Sequence, residues 1–262
     1  MNKEQEERYK RLIENNVNVG KTNEGIEFLW LVSGIASICL IAYIFAGNIS
    51  NFIIDRISTD TQMKIEKAFI MNIAGKIPSK SAKINKLESI KQRIIQNDYA
   101  LQNKSDFRLY EDSSSEINAF IIPNGTIYVT KGLLDKINDE EMLTFMLAHE
   151  LGHYRHRDHL KAIGRDVISA MFTAFVSGGE KQLNSTLNGI TDIGKLSYSR
   201  EQEKQADLYA NKVLYDLYGR NDGGIKFFEI LEAKYKSPDF MQYFSTHPST
   251  KDRIKLLKNH KH

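Results

Sequence analysis

The fold of this chain turns on one stretch, Met146-Leu147-Ala148-His149-Glu150-Leu151-Gly152-His153. It holds the pattern His-Glu-x-x-His, and that spacing has a mechanical meaning. Residues four apart on an α-helix lie one turn above each other on the same face. His149 and His153 can therefore aim two imidazoles at one zinc ion, with zinc–nitrogen distances of about 2.0–2.1 Å. Glu150 stands beside the first of them, where a carboxylate can take a proton from a water activated by the ion.

Three fixed positions make a short pattern, so the surroundings decide what it means. Asn138-Asp139-Glu140-Glu141-Met142-Leu143-Thr144-Phe145 reads as a helix start. Asn138 or Asp139 can accept from free backbone N–H groups, and the two glutamates favour the positive helix end. Met142, Leu143, Phe145, Met146 and Leu147 then supply an apolar face. The motif is expected inside a buried helix rather than on a surface helix with incidental histidines.

Two histidines leave a zinc site one protein ligand short, with a further position open for water. The best source downstream is Tyr198-Ser-Arg-Glu-Gln-Glu-Lys-Gln-Ala-Asp207, which opens a helix continuing through Leu208, Ala210, Val213, Leu214 and Leu217. Glu203 and Asp207 are four apart and share a face. Glu203 can bind zinc while Asp207 accepts from an imidazole nitrogen and fixes that ring. Glu201 competes by spacing but lies on a different face from Asp207. His156 and His159, three and six residues past His153, are expected at the surface or behind the ligands rather than among them.

Upstream of the motif the period changes from helical to alternating. Phe107 to Tyr110 reads as a short strand and Asp112 to Glu116 as a loop. Ile117 to Ile122 reads as a second strand, and Pro123-Asn124-Gly125 as a turn that folds Thr126 to Thr130 back onto it. The expectation is a small antiparallel sheet next to the zinc helix. An exposed edge of such a sheet can take up a peptide as an added strand.

Four blocks in this order resemble the HtpX and CAAX prenyl protease type of membrane metalloendopeptidases, within the gluzincins. They are His149-Glu150-Leu-Gly-His153 and Ser199-Arg200-x-x-Glu203-x-x-Ala206-Asp207, then two more. One is Asn118-Ala119-Phe120 leading through Pro123-x-Gly125-x-Ile127-x-Val129 to Gly132-Leu133-Leu134; the other is Thr246-His247-Pro248-Ser249 with Arg253-Ile254. The resemblance extends over residues 110–257. It implies His149, His153 and Glu203 as ligands of one zinc ion per chain, and Glu150 as general base. It also implies Asn118, Ala119 and Phe120 as the substrate-facing edge, with His247 close to the site and steadying the tetrahedral intermediate. The chain offers one convincing span where many members of the family have several, so prenylated substrates are not expected.

That span is Phe28 to Ala46, where no charged residue occurs. Its nineteen residues at 1.5 Å each cover about 28 Å, enough for a hydrocarbon core of roughly 30 Å. Trp30 and Tyr43 stand near its ends like an aromatic belt. A helix apolar on all sides for five turns fits lipid better than a globular core. The long polar lead and the absence of an Ala-x-Ala site favour an uncleaved anchor over a signal peptide. Bulky Ile38 before Cys39 speaks against a lipoprotein. Five Lys and Arg precede the span, whereas Arg56 alone lies between residues 47 and 61. That bias puts the large domain outside the cytoplasm, in the bacterial inner membrane on the family resemblance.

Apolar groups at helical spacing over residues 49–75 suggest a helix or pair of helices leaving the bilayer, and residues 80–100 another helix. The Asn-, Ser- and Gly-rich residues 184–194 suggest a mobile segment near the cleft, and Val167 to Val176 a core helix too short to span. A net charge of +3 from 36 basic and 33 acidic residues points to no nucleic-acid partner. The single Cys39 excludes an intramolecular disulfide. Oligomeric state leaves no mark in the sequence.

The expected architecture is α+β and predominantly helical. It comprises a polar segment (1–27), a transmembrane anchor (28–46), a helical juxtamembrane region (47–100) and a zincin-like metallopeptidase domain (101–262). The expected function is membrane-anchored, zinc-dependent hydrolysis of peptide bonds in protein quality control, with protein or peptide substrates and the bilayer as partners. A zinc-stabilised, non-proteolytic binding or chaperone-like module for unfolded chains is the rival; a pure binder needs no base beside its metal.

Overall fold

A computed structural model describes residues 2–14, 23–58, 82–102, 106–177, 197–233, 246–247 and 250–260. The chain divides into two compact units, Met1–Phe45 and Ala46–His262. In the first, α1 (Lys3–Glu14) precedes α2 (Glu24–Ile44). Among the described residues α2 is the one helix long and apolar enough to cross a membrane, and none of that stretch is buried.

The second unit opens with α3 (Ala46–Ile54), α4 (Ala82–Gln96) and the short α5 (Tyr99–Gln102). Strands β1 (Arg108–Asp112), β2 (Ala119–Ile121) and β3 (Thr126–Thr130) follow, then α6 (Lys131–Lys136), α7 (Glu140–Arg155) and α8 (Asp158–Ser177). The domain ends with α9 (Arg200–Tyr218), α10 (Asp222–Ala233) and α11 (Thr250–Asn259).

The expected hairpin is present: β2 runs antiparallel to β3, with Phe120 opposite Tyr128. The sheet as a whole is mixed, which corrects the antiparallel expectation. Its order is β1-β3-β2, and β1 runs parallel to β3. Parallel neighbours need a crossover, and here β2 supplies it: the chain leaves β1, forms the far edge, and returns between the two. That placement buries all five residues of β3. Thr130 closes the strand and accepts from Leu133 N–H, so the same residue caps α6.

Helix α7 is the centre of the domain, buried continuously from Glu141 to Tyr154. Asp139 is its N-cap, accepting from Met142 N–H. Helices α4, α9 and α10 and strand β2 all pack on it. Leu87, Ile90 and Ile94 of α4, Phe145, Leu147 and Leu151 of α7, Leu214 of α9 and Phe227 and Phe228 of α10 form one apolar core. Burying each such side chain contributes roughly 1.5–3 kcal/mol.

The span between residues 49 and 75 was expected to be helical; α3 covers its start, and residues 59–75 lie outside the described residues, as do 184–194. The expected helix over residues 80–100 is α4. Val167–Val176 lies within α8 and is only partly a core element: Ala170 is buried while Met171 is 59% exposed.

Candidate metal centre

Three helices and one turn bring the site together. His149, Glu150 and His153 come from α7, Glu203 and Asp207 from α9, His247 from the turn before α11, and Arg253 from α11; all are buried. Ser199 and Gln202 form a capping box that starts α9 at Arg200, three residues before Glu203, the first of the acidic pair to face inward. The two main helices approach closely at Gly152, where a Cβ would stand 3.1 Å from the Tyr209 ring and 3.2 Å from the Ala206 Cα. That contact is what lets a carboxylate on α9 reach imidazoles on α7.

The donor atoms converge. Nε2 of His149 lies 3.1 Å from Nε2 of His153 and 3.3 Å from Nδ1 of His247. Glu203 Oε1 is 3.4 Å from His153 Nε2 and 2.9 Å from His247 Nδ1. A tetrahedral site with bonds of about 2.0–2.1 Å has ligand–ligand edges of about 3.3 Å. The protein's own donors therefore stand at the spacing that a zinc ion requires, and His149, His153, Glu203 and His247 form one group able to hold a metal.

Each ring is fixed from behind. His149 Nδ1 lies 3.1 Å from Asp207 Oδ1, and His153 Nδ1 lies 2.9 Å from Asp158 Oδ2. Carboxylates at Nδ1 hold that proton and leave Nε2 as the free lone pair. Asp207 was expected in such a role; Asp158 was not. The chain reaches it through Arg157, whose positive φ of 59° turns sharply between α7 and α8. Tyr198 stacks on the His153 ring at 3.9 Å, another contact that spacing alone does not show.

Arg253 binds Asp207 with two hydrogen bonds of 2.7 Å and places Nη1 2.6 Å from Glu203 Oε2. Two buried carboxylates beside the metal position would repel each other, and the guanidinium between them offsets that. The arginine was visible only as part of the C-terminal block. Glu201, the competing carboxylate, is exposed and outside the cluster. His156 and His159 are also outside it: His156 is half-buried, and His159 stacks on Tyr154 at 5.2 Å.

The electrostatics follow from burial and these partners. Desolvation pushes His149 down to about 3, which keeps it neutral. Burial would also lower His153, but hydrogen bonds to Asp158 and Glu203 outweigh it and raise that ring to about 10. Burial would raise Glu203, yet Arg253 and His247 hold it well below the usual carboxylate range. The same guanidinium keeps Asp207 low against its burial. His149 as a neutral ring and Glu203 as a carboxylate would be ready to hold a cation, and His153 would have to give up a proton to join them.

Glu150 differs from the others. Burial raises its pKa, and its Oε2 is a buried acceptor without a hydrogen-bond partner among the described residues. Its other oxygen, Oε1, lies 3.7 Å from His247 Nε2. An uncommitted carboxylate of raised proton affinity beside a metal-binding cluster can hold and release a proton.

Strand β2 with Ala119 and Phe120, and Asn118 just before it, forms an edge of the sheet packed against α7. Asn118 O accepts from Thr130 N–H, and Ile122 N–H donates to Thr126 O, both facing β3. By alternation the backbone groups of Ala119 and Ile121 face away from β3, on the edge of the sheet, where both residues are buried.

Comparison with known proteins agrees with this chemistry. The sequence profile of peptidase family M48 matches residues 81–261. Metalloprotease YcaL of Escherichia coli is 28% identical over 204 residues, 72% of this chain and 74% of that protein. The mitochondrial metalloendopeptidase OMA1 of Danio rerio is 26% identical over 158 residues, 55% of this chain and 33% of that one. The β-barrel assembly-enhancing protease of Escherichia coli is 24% identical over 221 residues, 78% of this chain and 44% of that one. This chain thus spans most of the first relative and less than half of the other two. It belongs to peptidase family M48 and is a zinc metalloendopeptidase.

Proposed function

We propose that the chain is a membrane-anchored endopeptidase in which His149, His153 and Glu203 hold one zinc ion and Glu150 moves the proton. The observation that carries this reading is the convergence of those three donors beside Glu150 Oε2, which has no hydrogen-bond partner among the described residues. The chemistry zinc supplies when bound is acidification of a water molecule and polarisation of a carbonyl. Glu150 accepts a proton as the water oxygen bonds to the scissile carbonyl carbon. It then delivers that proton to the departing amine nitrogen as the carbon–nitrogen bond breaks. Asp207 and Asp158 keep the two imidazoles in register, and Arg253 keeps Glu203 ionised.

His247 is assigned to the carbonyl side. Glu203 holds it through Nδ1, and its Nε2 edge faces Glu150, a place from which an N–H can steady charge on the carbonyl oxygen. The substrate segment adds to the edge of β2 that faces away from β3, alongside Asn118, Ala119 and Phe120. The uncharged run at residues 28–46 anchors the chain in a bacterial inner membrane with its domain outside the cytoplasm, and the substrates are damaged membrane or envelope proteins.

The test is Glu150→Gln in the full-length protein. We expect one zinc per chain to be retained and cleavage of an unfolded casein substrate to fall by about 10²–10⁴-fold. Substantial cleavage by the metal-loaded variant would overturn the role of Glu150. A second reading has one observation in its favour: His247 as a fourth protein donor would close the site, as in structural zinc centres. The chain would then be a zinc-stabilised binding module for unfolded proteins. Chelator-sensitive cleavage of casein by the wild type excludes it.

A further inference from the structure

Helix α3 carries its apolar groups on the wrong side for a globular protein. Its buried face is small and partly polar: Ala46, Ser50 and Ile54. Ser50 Oγ donates to Lys161 O at 2.8 Å, and Gly164 of α8 has no room for a Cβ against Ser50. Arg157 ties the end of the helix to α8 by donating to the carbonyls of Ile54 and Ile57, and Lys161 pairs with Asp55 at 3.0 Å. The helix is therefore fastened to α8 by close backbone approach and polar contacts. Its large side chains point away: Ile49 is 39%, Phe52 59% and Ile53 50% exposed. These positions follow the i, i+3, i+4 rule of an amphipathic stripe, and Arg56 at i+7 lays its guanidinium 3.5 Å over the Phe52 ring.

Phe45 alone separates α2 from α3. Whatever angle the two units adopt, one residue of chain reaches only about 4 Å. If α2 crosses the bilayer, α3 begins at its surface. An apolar stripe with a basic residue at its rim is the design of a helix lying in the membrane–water boundary.

We propose that α3 is such an interfacial helix, with Ile49, Phe52 and Ile53 resting in the bilayer surface. Because α3 is fastened to α8, and Asp158 at the start of α8 holds His153, the metal cluster is tied to the membrane boundary. The polypeptide it cuts is then the stretch of a membrane or membrane-bound protein that lies next to the bilayer. This rests on the anchor assigned to α2, and the test separates the two.

The chain has one tryptophan, Trp30, inside α2. Three single-tryptophan full-length proteins are compared in phosphatidylcholine vesicles, with and without bromine on the upper acyl chains. They are the wild type, Trp30→Phe with Phe52→Trp, and Trp30→Phe with Tyr99→Trp, Tyr99 being 79% exposed on α5. We expect bromine to cut emission about twofold for tryptophan at 30 and at 52, and hardly at 99. Quenching at 30 without quenching at 52 overturns the interfacial helix and leaves the anchor standing. No quenching at 30 removes the anchor and this proposal with it. Blue-shifted but unquenched emission at 52 means a protein cover and overturns it, as does equal quenching at 99. Ile49→Trp in the Trp30→Phe background replaces the Phe52 variant should that one lose zinc. For the substrate, a peptide held to the vesicle next to its scissile bond should be cut about tenfold faster than the same peptide in solution. Phe52→Ser, which keeps the α2 anchor, should reduce that preference and leave cleavage in solution unchanged; equal rates in the wild type overturn the assignment of substrate.

Discussion

Helices α2 and α7 are each uniform around their circumference, in opposite ways. α2 is apolar on every side and exposed. α7 is buried from Glu141 to Tyr154 yet holds His149, Glu150 and His153 within that stretch. The contrast teaches that a helix goes inside when its groups find partners there, whatever its apolar content. Around α7, Asp207 and Asp158 answer the two imidazoles, while Glu150 Oε2 is left without a hydrogen-bond partner among the described residues. α2 needs no polar partner between residues 28 and 44, and on our reading lipid, not protein, covers it.

The comparison breaks most visibly where a partner of α7 is removed. Asp207→Ala leaves Arg253 buried with Glu203 alone and takes the acceptor from His149 Nδ1. We expect a loss of about 3–5 kcal/mol, read from the urea midpoint at unchanged slope. A loss below about 1 kcal/mol, the worth of an exposed pair, would mean that the cluster does not depend on this ion pair.

On the other side of the comparison, Ile35→Arg places a charge in the middle of α2. The expected penalty for insertion is about 2.5–3.5 kcal/mol, seen as protein lost from an alkali-washed membrane fraction. Undiminished retention would show that α2 does not lie in lipid.

A smaller effect sharpens the account of α7. Asp158→Asn keeps the shape behind His153 but removes the charge that orients its Nδ1 proton. Zinc affinity, measured by competition with a chromogenic chelator, should fall about 10–100-fold. An unchanged affinity would reduce Asp158 to a helix-start residue.

The smallest effect is a surface reference for the buried pairs. Hydrogen bonds from Lys131 and Lys83 lower Asp135 from 3.8 to about 2. A depressed carboxylate stabilises the fold above its unfolded value and loses that contribution as pH falls through the folded one. Between pH 4 and pH 2 the wild type should lose slightly more thermal stability than Asp135→Asn. Parallel curves would show that this exposed cluster contributes nothing measurable.

Much of the site was legible because its parts are local. Four-residue spacing alone predicts that His149 and His153 share a face and that Glu203 and Asp207 do, and the structure places both pairs in one cluster. The hairpin of β2 and β3 follows from Pro123-Asn124-Gly125. The direction of β1 was not legible, because five alternating residues say nothing about which neighbour they join. Asp158 was hidden behind a turn that depends on Arg157 adopting positive φ, which non-glycine residues rarely do. Arg253 was hidden by distance: it meets Asp207 from 46 residues away, and no period links them.

By itself, then, the sequence determined the helix that carries His149 and His153, the glutamate within it, the acidic pair on a second helix and one run suited to lipid, because each is written within a few residues at the period of its own backbone. Tertiary structure alone decided that α9 meets α7 at Gly152, that Arg253 neutralises two carboxylates there, and that α3 turns its large side chains outward. Those outcomes depend on which surfaces come within a few ångströms, a property of packing between distant segments that no local pattern carries.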